Sequence, residues 1–492
     1  LRTFDTGSLI QKNMTFMDYL QNGVEVTYDD KGEVRHDIVY LLDYKNSGRN
    51  TFQAINQWTF KEYSERRADI MIFVNGLPLV LIELKSPSRE ETDASDAYRQ
   101  IRNYQQEIPS LFVYNVFCVM SDMALSKAGT ITSKEDRYME WKTVDGETET
   151  QDLVSYDTFF VGMFKQDRFL DLIKNFTCFS CSEEGDAKIL AGYHQYFAVK
   201  KAVERTVKAT NTDGKIGVFW HTQGSGKSLS MVFYAHLIQT ALDKPTIVVM
   251  TDRNDLDDQL YTQFSKCEHF LRQRPVQATS RENLKKLLRG REANGIIFTT
   301  MQKFEESHEP LSERRNIIVM ADEAHRGQYG FEEKVHSDGH VSVGMARVIH
   351  DSLPNASFIG FTGTPISMKD KDTREVFGDY ISIYDMTQSV KDKATVPVYY
   401  ESRVVNLKLD EETVKAIDAE YKKLAEEGAT DQQIDESMHE MSHLDEILGA
   451  PETIDSLVQD ILKHYEENRQ FELSGKAMIV AYNKEAAVKI YR

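Results

Sequence analysis

The feature that most constrains this chain is a glycine-rich loop between an apolar run and a helix-like run. The loop reads Trp-His-Thr-Gln-Gly-Ser-Gly-Lys-Ser over 220–228, and the apolar run Gly217 to Trp220 leads into it. Residues Leu229 to Ala241 follow with helical character. This order suits a phosphate site, because glycine lets N–H groups turn toward an anion and the helix points its positive end at it. The sequence therefore predicts a nucleotide-phosphate loop.

The side chains of this loop have separate expected roles. Lys227 is expected to reach the β- and γ-phosphates, and the Ser228 hydroxyl to hold Mg²⁺. The other expected nucleotide contacts come from Thr222, Gln223, Gly224, Ser225 and Gly226. His221 occupies the position of the first glycine in the G-x-x-x-x-G-K-[ST] pattern. The alternative, a glycine-rich turn with an incidental Lys-Ser, fits the flanking strand and helix less well.

Length and composition limit the class of protein to which this chain can belong. A length of 492 residues predicts about three domains. The net charge of −19 excludes a polycationic nucleic-acid coat, although a basic groove on an acidic body stays possible. Four cysteines without a second C-x-x-C or a paired histidine indicate ordinary thiols in a reducing cytoplasm, with no zinc site. No apolar stretch long enough for a membrane span and no signal peptide occur. Because the chain starts at Leu1, the native N-terminus is expected to be missing.

A second chemical pattern lies near residue 70. Ile70 to Val74 and Leu77 to Leu84 read as two strands joined by an Asn-Gly turn. Asp69 precedes the first strand, while Glu83 and Lys85 share one face of the second. This arrangement resembles a PD-(D/E)xK nuclease. Two carboxylates would hold a divalent metal beside the scissile phosphate, and the lysine would orient or deprotonate the attacking water. E-x-K on a strand by itself more commonly marks a solvated edge.

The following segment supports the nuclease interpretation. Ala94 to Glu107 has helical spacing, and Gln100 and Tyr104 stand one turn apart on it. A Q-x-x-x-Y helix next to such a core resembles RecB-like nucleases and type I restriction subunits. The alternative is an exposed amphipathic helix. Phe112 to Val119 is predicted as a further core strand.

Beyond the glycine loop, apolar runs end repeatedly in polar motifs. They are Thr246 to Met250 before TDR, Gly295 to Phe298 before TTMQ, Asn316 to Ala321 before DEAH, and Ser357 to Phe361 before TGTP. Strands that alternate with helices predict a parallel sheet, whose working residues collect beyond the carboxyl ends of its strands. Upstream, Gln195 precedes a helix and is expected to read the adenine edge; the alternative is an ordinary polar residue at a helix start.

The DEAH motif carries the expected hydrolysis chemistry. Asp322 is expected to bind Mg²⁺ through water, and Glu323 to position or deprotonate the attacking water. His325 and the loop from Thr362 to Thr364 are expected to couple the nucleotide state to motion. A surface acidic turn is the alternative for DEAH alone.

The motifs GSGKS, DEAH and TGTP in this order resemble those of superfamily 2 helicases. With a nuclease placed before the motor, the whole chain resembles the restriction (motor) subunit of type I restriction-modification enzymes. That resemblance implies ATP and Mg²⁺ as cofactors, ATP-driven translocation on double-stranded DNA, and cleavage away from the recognition site. It also implies specificity and methyltransferase subunits as partners, and DNA-backbone contacts from Thr251 to Arg253 and Thr299 to Gln302.

The expected domains are a PD-(D/E)xK endonuclease over 1–180, a RecA-like helicase over 186–385, a partly helical linking segment over 386–475, and the beginning of a second RecA-like domain over 476–492. Lys476 to Tyr482 is predicted as the first strand of that last domain. A Q-x-x-G-R-x-x-R segment with its arginine finger is not present, so the chain is expected to be a fragment. A type III restriction or repair helicase-nuclease is the alternative enzyme, although its nuclease is expected after the motor. A non-catalytic DNA-binding or signalling ATPase is the alternative outside these enzymes.

Overall fold

The computed structural model describes residues 7–86, 94–122, 124–147, 156–251, 254–290, 293–304, 309–324, 333–335, 341–343, 345–364, 371–400, 451–468, 477–481 and 483–492. The chain divides into two compact units, Leu1–Pro397 and Val398–Arg492. The first contains both of the predicted chemical patterns.

The first part of this unit contains a mixed five-stranded sheet. Helix α1 (Leu9–Asn22) and a separate hairpin of β1 (Val24–Asp30) and β2 (Glu33–Val39) precede it. Its strands are β3 (Phe52–Lys61), β4 (Glu65–Val74), β5 (Leu77–Leu84), β6 (Phe117–Ser121) and β7 (Ser126–Gly129), in that spatial order. All neighbours are antiparallel except β5 and β6, which run parallel.

The predicted hairpin between β4 and β5 is present. Its turn residues Asn75 and Gly76 have φ values of 52° and 80°, a combination that the Asn-Gly pair tolerates well. Helix α2 (Ala94–Glu107) has the predicted bounds, and helix α3 (Pro109–Phe112) follows it. The prediction of a strand over Phe112–Val119 was wrong in its start. A helical turn that begins at Pro109, which suits the first turn of a helix, delays the strand to Phe117.

Two helices and a hairpin follow the first sheet: α4 (Tyr156–Phe164), α5 (Gln166–Asn175), β8 (Thr177–Ser180) and β9 (Ala187–Leu190). The later part of the unit has a second sheet. Its strands are β10 (Lys215–His221), β11 (Thr246–Thr251), β12 (Val276–Gln277), β13 (Ile296–Thr300), β14 (Ile317–Ala321), β17 (Ser357–Thr362) and β18 (Tyr380–Tyr384). The two intervening strands, β15 (Glu333–Val335) and β16 (Val341–Val343), form a separate hairpin.

The second sheet is parallel throughout, in the spatial order β12-β13-β11-β14-β17-β10-β18. The helices of this region are α6 (Tyr193–Ala209), α7 (Lys227–Ala241), α8 (Asn254–Lys266), α9 (Glu268–Leu271), α10 (Arg281–Arg289), α11 (Met345–Ser352), α12 (Lys371–Phe377) and α13 (Met386–Lys391). Strands β10, β11, β13, β14 and β17 match the predicted apolar runs within a few residues. This is the RecA-like architecture expected from the alternation of strands and helices.

One hydrophobic core joins the two sheets. Phe117 on β6 meets Phe169 on α5 with ring centroids 5.9 Å apart, and Phe176, which follows α5, meets Phe233 on α7 at 5.5 Å. All four rings are almost fully buried in a single apolar cluster. Helix α5 therefore packs the first sheet against the helix that follows the glycine loop.

The hairpin of β8 and β9 also connects both parts. On one side, the Cys181 N–H donates to the Lys266 carbonyl oxygen at 2.9 Å. On the other, the fully buried Lys188 ammonium donates to Asn13 Oδ1 at 2.9 Å and to the Asn115 carbonyl oxygen at 2.7 Å. Burial holds the pKa of Lys188 well below its ordinary value.

The second unit is described in part. Helices α14 (Pro451–Asn468) and α15 (Lys484–Tyr491) contact each other. The predicted strand over 476–482 is not formed where it is described, since 477–481 lie in neither helix nor strand and Met478 and Val480 are exposed. A strand needs a neighbour for its main-chain hydrogen bonds, and no pairing involves these residues within the described ranges. No helix in the part of the chain described here is long and apolar enough to span a membrane.

Lys188→Met tests the buried amine. The substitution takes the Lys188 donor from the buried Asn13 Oδ1, while the Asn115 carbonyl oxygen keeps its second donor, the Asn13 amide, so we expect a loss of about 1–3 kcal/mol in unfolding free energy. Unfolded Lys188 keeps its proton up to about its ordinary pKa, 10.5, whereas the folded amine loses it at lower pH. The stability difference between wild type and variant should therefore grow as pH rises toward 10, measured by urea unfolding at several pH values. Equal midpoints at every pH would contradict this role.

Candidate active sites

The predicted acidic pair lies side by side on two neighbouring strands. The last pair in the ladder between β4 and β5 is Ile70 with Ile82. Asp69 and Glu83 are the next residues along these two strands, so they stand opposite each other. Opposite residues of an antiparallel pair share one face of the sheet. Asp69 Oδ2 accepts a hydrogen bond from the Leu84 N–H at 2.8 Å, and Oδ1 accepts one from the Gln57 side chain at 3.0 Å. The Asp69 carboxylate is therefore held by two donors.

Glu83 is the buried member of the pair. Its side chain is 2% exposed, and its Oε2 has no hydrogen-bond donor within the described residues. Burial, together with the Asp69 charge, raises the pKa of Glu83 to about 7, against the opposing effect of Lys85. A buried oxygen that lacks a donor, beside a second carboxylate, fits a divalent cation. No three metal-ligating side chains converge in the described part of the chain, so a cation here would retain water ligands, as Mg²⁺ commonly does.

The predicted lysine and helix residues reach the same place. Lys85 Nζ donates to Glu83 Oε1 at 3.1 Å and to Gln100 Oε1. The Gln100 amide donates to the Tyr104 hydroxyl, which in turn donates to the Arg67 carbonyl oxygen at 3.1 Å. Tyr104 is buried, so this relay ties the ammonium group to helix α2 and strand β4. The structure thus brings Asp69, Glu83, Lys85, Gln100 and Tyr104 together.

The glycine loop joins the end of β10 to the start of α7. Gly224 and Gly226 have φ values of 83° and 85°, in the left-handed region that glycine adopts without strain. A Cβ atom at Gly226 would lie 2.8 Å from Gln195 Nε2, so a larger residue would displace that amide. Helix α7 begins at Lys227, immediately after this turn. The loop and the helix start therefore have the form of an anion cradle.

Lys227 lies between the two acidic residues of the DEAH motif. Its Nζ is 3.0 Å from Asp322 Oδ1 and 3.2 Å from Glu323 Oε1, and all three side chains are mostly buried. Burial acts to lower the pKa of Lys227, but the two carboxylates outweigh it and raise the pKa above its ordinary value. Glu323 has a φ of 52°, an uncommon conformation for a residue with a side chain. The predicted glycine loop and acidic motif thus meet at the carboxyl edge of the sheet.

Gln195 makes hydrogen bonds within the protein, and its expected contact with the adenine edge stays a prediction. Its Oε1 accepts from the Gly192 N–H at 3.0 Å, and its amide donates to the Gly226 carbonyl oxygen at 3.0 Å. The side chain is 5% exposed. In this structure Gln195 therefore fastens the start of α6 to the glycine loop.

The other predicted nucleotide residues occupy the loop as expected from the sequence. Ser225 Oγ donates to the Thr222 carbonyl oxygen at 2.6 Å, and both residues are buried. Gln223 is exposed and approaches the loop after β17, where a Cβ atom at Gly363 would lie 3.1 Å from its Cγ. Ser228 is partly buried in the first turn of α7. His325 and the loop residues Asp252 and Arg253 lie outside the described residues.

His221, at the position of the missing glycine, is fully buried. Its Nε2 lies 3.1 Å from Ser382 Oγ, and its ring packs beside His194 and Tyr384. Burial, with the nearby His194 and Lys227, holds the pKa of His221 well below its ordinary value, so the ring is neutral. His194 in turn lies 3.1 Å from the Ser225 carbonyl oxygen. Two buried, neutral histidines therefore lie next to the glycine loop inside the protein.

Sequence reasoning missed a buried carboxylate beside this loop. The Asp392 side chain accepts hydrogen bonds from the Tyr193 hydroxyl at 2.6 Å and the Tyr384 hydroxyl at 2.7 Å. It also forms an ion pair with Lys142, which follows the first sheet, at 2.8 Å. Asp392 stands in a polar stretch that carries no motif, so the sequence offered no signal for this link between the two parts of the unit.

Family models match both parts of the chain. Residues 2–137 match the model described as the type I restriction enzyme R protein N terminus, and residues 194–435 match the model described as the SWI2/SNF2 ATPase. A fragment assigned to an HsdR subunit of a type I restriction enzyme from Vibrio vulnificus YJ016 is similar to 89% of this chain, over 68% of its own length, with 14% identity and a TM-score of 0.36.

Curated relatives extend this similarity along nearly the whole chain. The Type I restriction enzyme HindI endonuclease subunit of Haemophilus influenzae is 42% identical over 99% of this chain and 46% of its own length. The putative MjaIXP endonuclease subunit of Methanocaldococcus jannaschii is 34% identical over 99% of this chain and 47% of its own length. The chain thus spans about half the length of these relatives. With both family models matched in the expected order, the chain belongs to the family of type I restriction enzyme endonuclease (R) subunits.

Proposed function

We propose that this chain carries the nuclease and an ATPase domain of the motor of a restriction enzyme that translocates double-stranded DNA and cleaves it away from the recognition site. The observation that supports this most is the presence, in one compact unit, of two separate carboxylate–lysine sites. One is formed by Asp69, Glu83 and Lys85 on the mixed sheet. The other is formed by Lys227 with Asp322 and Glu323 at the edge of the parallel sheet.

The first site suits hydrolysis of a phosphodiester. Asp69 and Glu83 would hold Mg²⁺, which, when bound, would polarise the phosphate and activate a water molecule. Lys85 is kept in place by Gln100 and Tyr104, so that its ammonium group can orient the water or neutralise charge that develops on the phosphate. Arg66 pairs with Glu107 next to this relay and strengthens the attachment of α2 to β4.

The second site suits transfer of a phosphoryl group from ATP to water. Gly224 and Gly226 would direct N–H groups at the phosphates, and Ser228 and Asp322 would hold Mg²⁺. The Lys227 ammonium now balances the charges of Asp322 and Glu323. When ATP binds, Lys227 would turn to the phosphates, and Glu323 would be released to position the attacking water.

The same proposal implies partner subunits and a cellular compartment. We infer that specificity and methyltransferase subunits supply DNA recognition, and that the assembly works in the cytoplasm, where the four free thiols of the chain stay reduced. The order of nuclease before motor favours this function over a type III restriction or repair helicase-nuclease. The buried Glu83 carboxyl group beside Asp69 favours it over a non-catalytic ATPase, since such a pair is unfavourable without a cation.

Lys227→Ala tests the nucleotide site. The phosphates would lose their fixed positive charge, so we expect ATP hydrolysis by the assembled enzyme to fall by roughly 100-fold or more. Lys208→Ala, which removes an exposed lysine of α6, is the matched control and should hydrolyse ATP at the wild-type rate. Full ATPase activity in the Lys227 variant would refute the phosphate-loop assignment.

Substitutions at the first site test the separation of the two activities. Asp69→Ala, Glu83→Gln and Lys85→Ala should each abolish DNA cleavage while ATP hydrolysis and translocation continue, because the metal site lies on a different sheet. Gln100→Ala and Tyr104→Ala should weaken cleavage less, since they position Lys85 and do not bind the metal. Glu65→Ala, on the same strand as Asp69, is the acidic control. A parallel loss of ATPase activity would show that the two sites are not separate.

The raised pKa of Glu83 predicts a pH dependence for metal binding. The metal-free folded chain keeps a proton on Glu83 up to a pH of about 7, whereas the unfolded chain loses it near the ordinary value of 4.5. This group therefore makes the metal-free fold less stable as pH rises from 4.5 toward 7. Mg²⁺ needs the ionised carboxylate, so its affinity should rise through pH 7 and then level off.

Calorimetric titration with Mg²⁺ in two buffers of different protonation enthalpy checks this dependence. Below pH 7 the binding should release about one proton, and at pH 8.5 close to none. Glu83→Gln cannot titrate and should show no such release. Proton release from wild type that does not change between pH 6 and pH 8.5 would contradict the prediction.

A further inference from the structure

Gln57 lies in one row with the two proposed metal ligands. The ladder between β3 and β4 pairs Asn56 with Ile70 and Trp58 with Ala68, which places Gln57 directly opposite Asp69. Asp69 is in turn opposite Glu83 on the next strand. Side chains at opposite positions share a face, so the three residues run across β3, β4 and β5 on the side that carries Lys85.

The backbone of Gln57 departs from that of the strand around it. Its φ is 52°, in the left-handed region, and its position is the one at which the otherwise continuous ladder between β3 and β4 has no pairing. A side chain makes this conformation unfavourable, and glycine or asparagine is the usual choice for it. Such strain inside a strand persists where the surrounding structure enforces it, and functional sites are where it concentrates.

The side chain uses this conformation to reach Asp69. Gln57 Nε2 lies 3.0 Å from Asp69 Oδ1, and only the amide nitrogen can donate to a carboxylate. The Leu84 N–H binds the other oxygen at 2.8 Å. One donor on each oxygen fixes the plane of the carboxylate and leaves each oxygen a further lone pair. Because Gln57 itself is exposed, its bond gives little to the core and bears mainly on the carboxylate.

We infer that Gln57 is a positioning residue of the nuclease site, which holds the Asp69 carboxylate in the orientation that binds the divalent metal. This inference rests on the proposed metal role of Asp69 and Glu83, and it extends the site to a third strand. Residues that orient metal ligands by hydrogen bonding contribute strongly to metal affinity, and their loss commonly weakens that affinity about 10- to 100-fold. A purely structural residue at this position would have no such effect on metal binding.

Gln57→Gly separates positioning from folding, because glycine removes the amide and also relieves the left-handed strain. We expect the variant to unfold at the wild-type temperature or above it, and to bind Mg²⁺ about 10- to 100-fold more weakly in calorimetric titration. Plasmid cleavage by the assembled enzyme should fall in kcat with little change in KM for DNA. Lys31→Gly is the matched control, since Lys31 has a φ of 58° in the remote turn between β1 and β2; its Mg²⁺ affinity and cleavage should equal those of wild type.

Two results would overturn the inference: wild-type Mg²⁺ affinity in Gln57→Gly, or a fall in its unfolding temperature that accompanies the loss of affinity. Asp69→Ala identifies a failure of the underlying proposal. If wild type and Asp69→Ala bind Mg²⁺ equally, the metal site itself is wrong and the role of Gln57 falls with it. If Asp69→Ala loses Mg²⁺ while Gln57→Gly retains it, only the positioning role is refuted.

Discussion

The burial of one continuous apolar core underlies the arrangement of this subunit. Two sheets of different topology need a surface on which to pack, and helix α5 supplies it. Phe169 on α5 packs against the mixed sheet, and Phe176, just beyond the end of α5, contacts α7, the helix that follows the glycine loop. Burial of large aromatic side chains contributes roughly 1.5–3 kcal/mol for each ring. Polar links then fix the alignment: the Lys188 amine on one side and the Asp392 carboxylate on the other bind groups from both parts. The apolar contact supplies the free energy of association, and these polar contacts supply its geometry.

The two candidate sites solve one electrostatic problem in the same way. Each places two carboxylates close together in a poorly solvated position, where like charges repel strongly. In each, a lysine ammonium pairs with a carboxylate: Lys85 with Glu83 in the mixed sheet, and Lys227 with Asp322 in the parallel sheet. The solutions differ in one respect. Glu83 has a raised pKa and an oxygen without a donor among the described residues, so the first site is short of positive charge, while Lys227 contacts both Asp322 and Glu323. The first site thus needs an added metal cation, whereas in the second site the Lys227 ammonium has to move.

Much of this could be predicted from sequence because the information was local. The bounds of α2 and the strands that precede the glycine loop and DEAH follow from periodicity and from apolar runs, and Asp69, Glu83 and Lys85 were placed by alternation along two strands. What escaped prediction depended on partners remote in the chain. The hydrogen bond from the Gln195 amide to Gly226 forms only once α6 and the glycine loop are brought together, so nothing about its position in the chain indicated it. The left-handed backbone of Gln57 has no signature in residue type, and Asp392 acquires its role through Tyr193 and Lys142, far earlier in the chain.

The shared core also limits how freely the two parts can evolve. In a modular protein, a nuclease can be exchanged between motors because only a linker connects them. Here the rings of Phe117, Phe169, Phe176 and Phe233 belong to one cluster, so a change of volume on the nuclease sheet is transmitted toward the helix that begins at Lys227. Substitutions on one side must therefore be matched on the other. We expect lineages of this family to exchange nuclease and motor segments as a unit, with recombination boundaries outside the interval from α4 to α7.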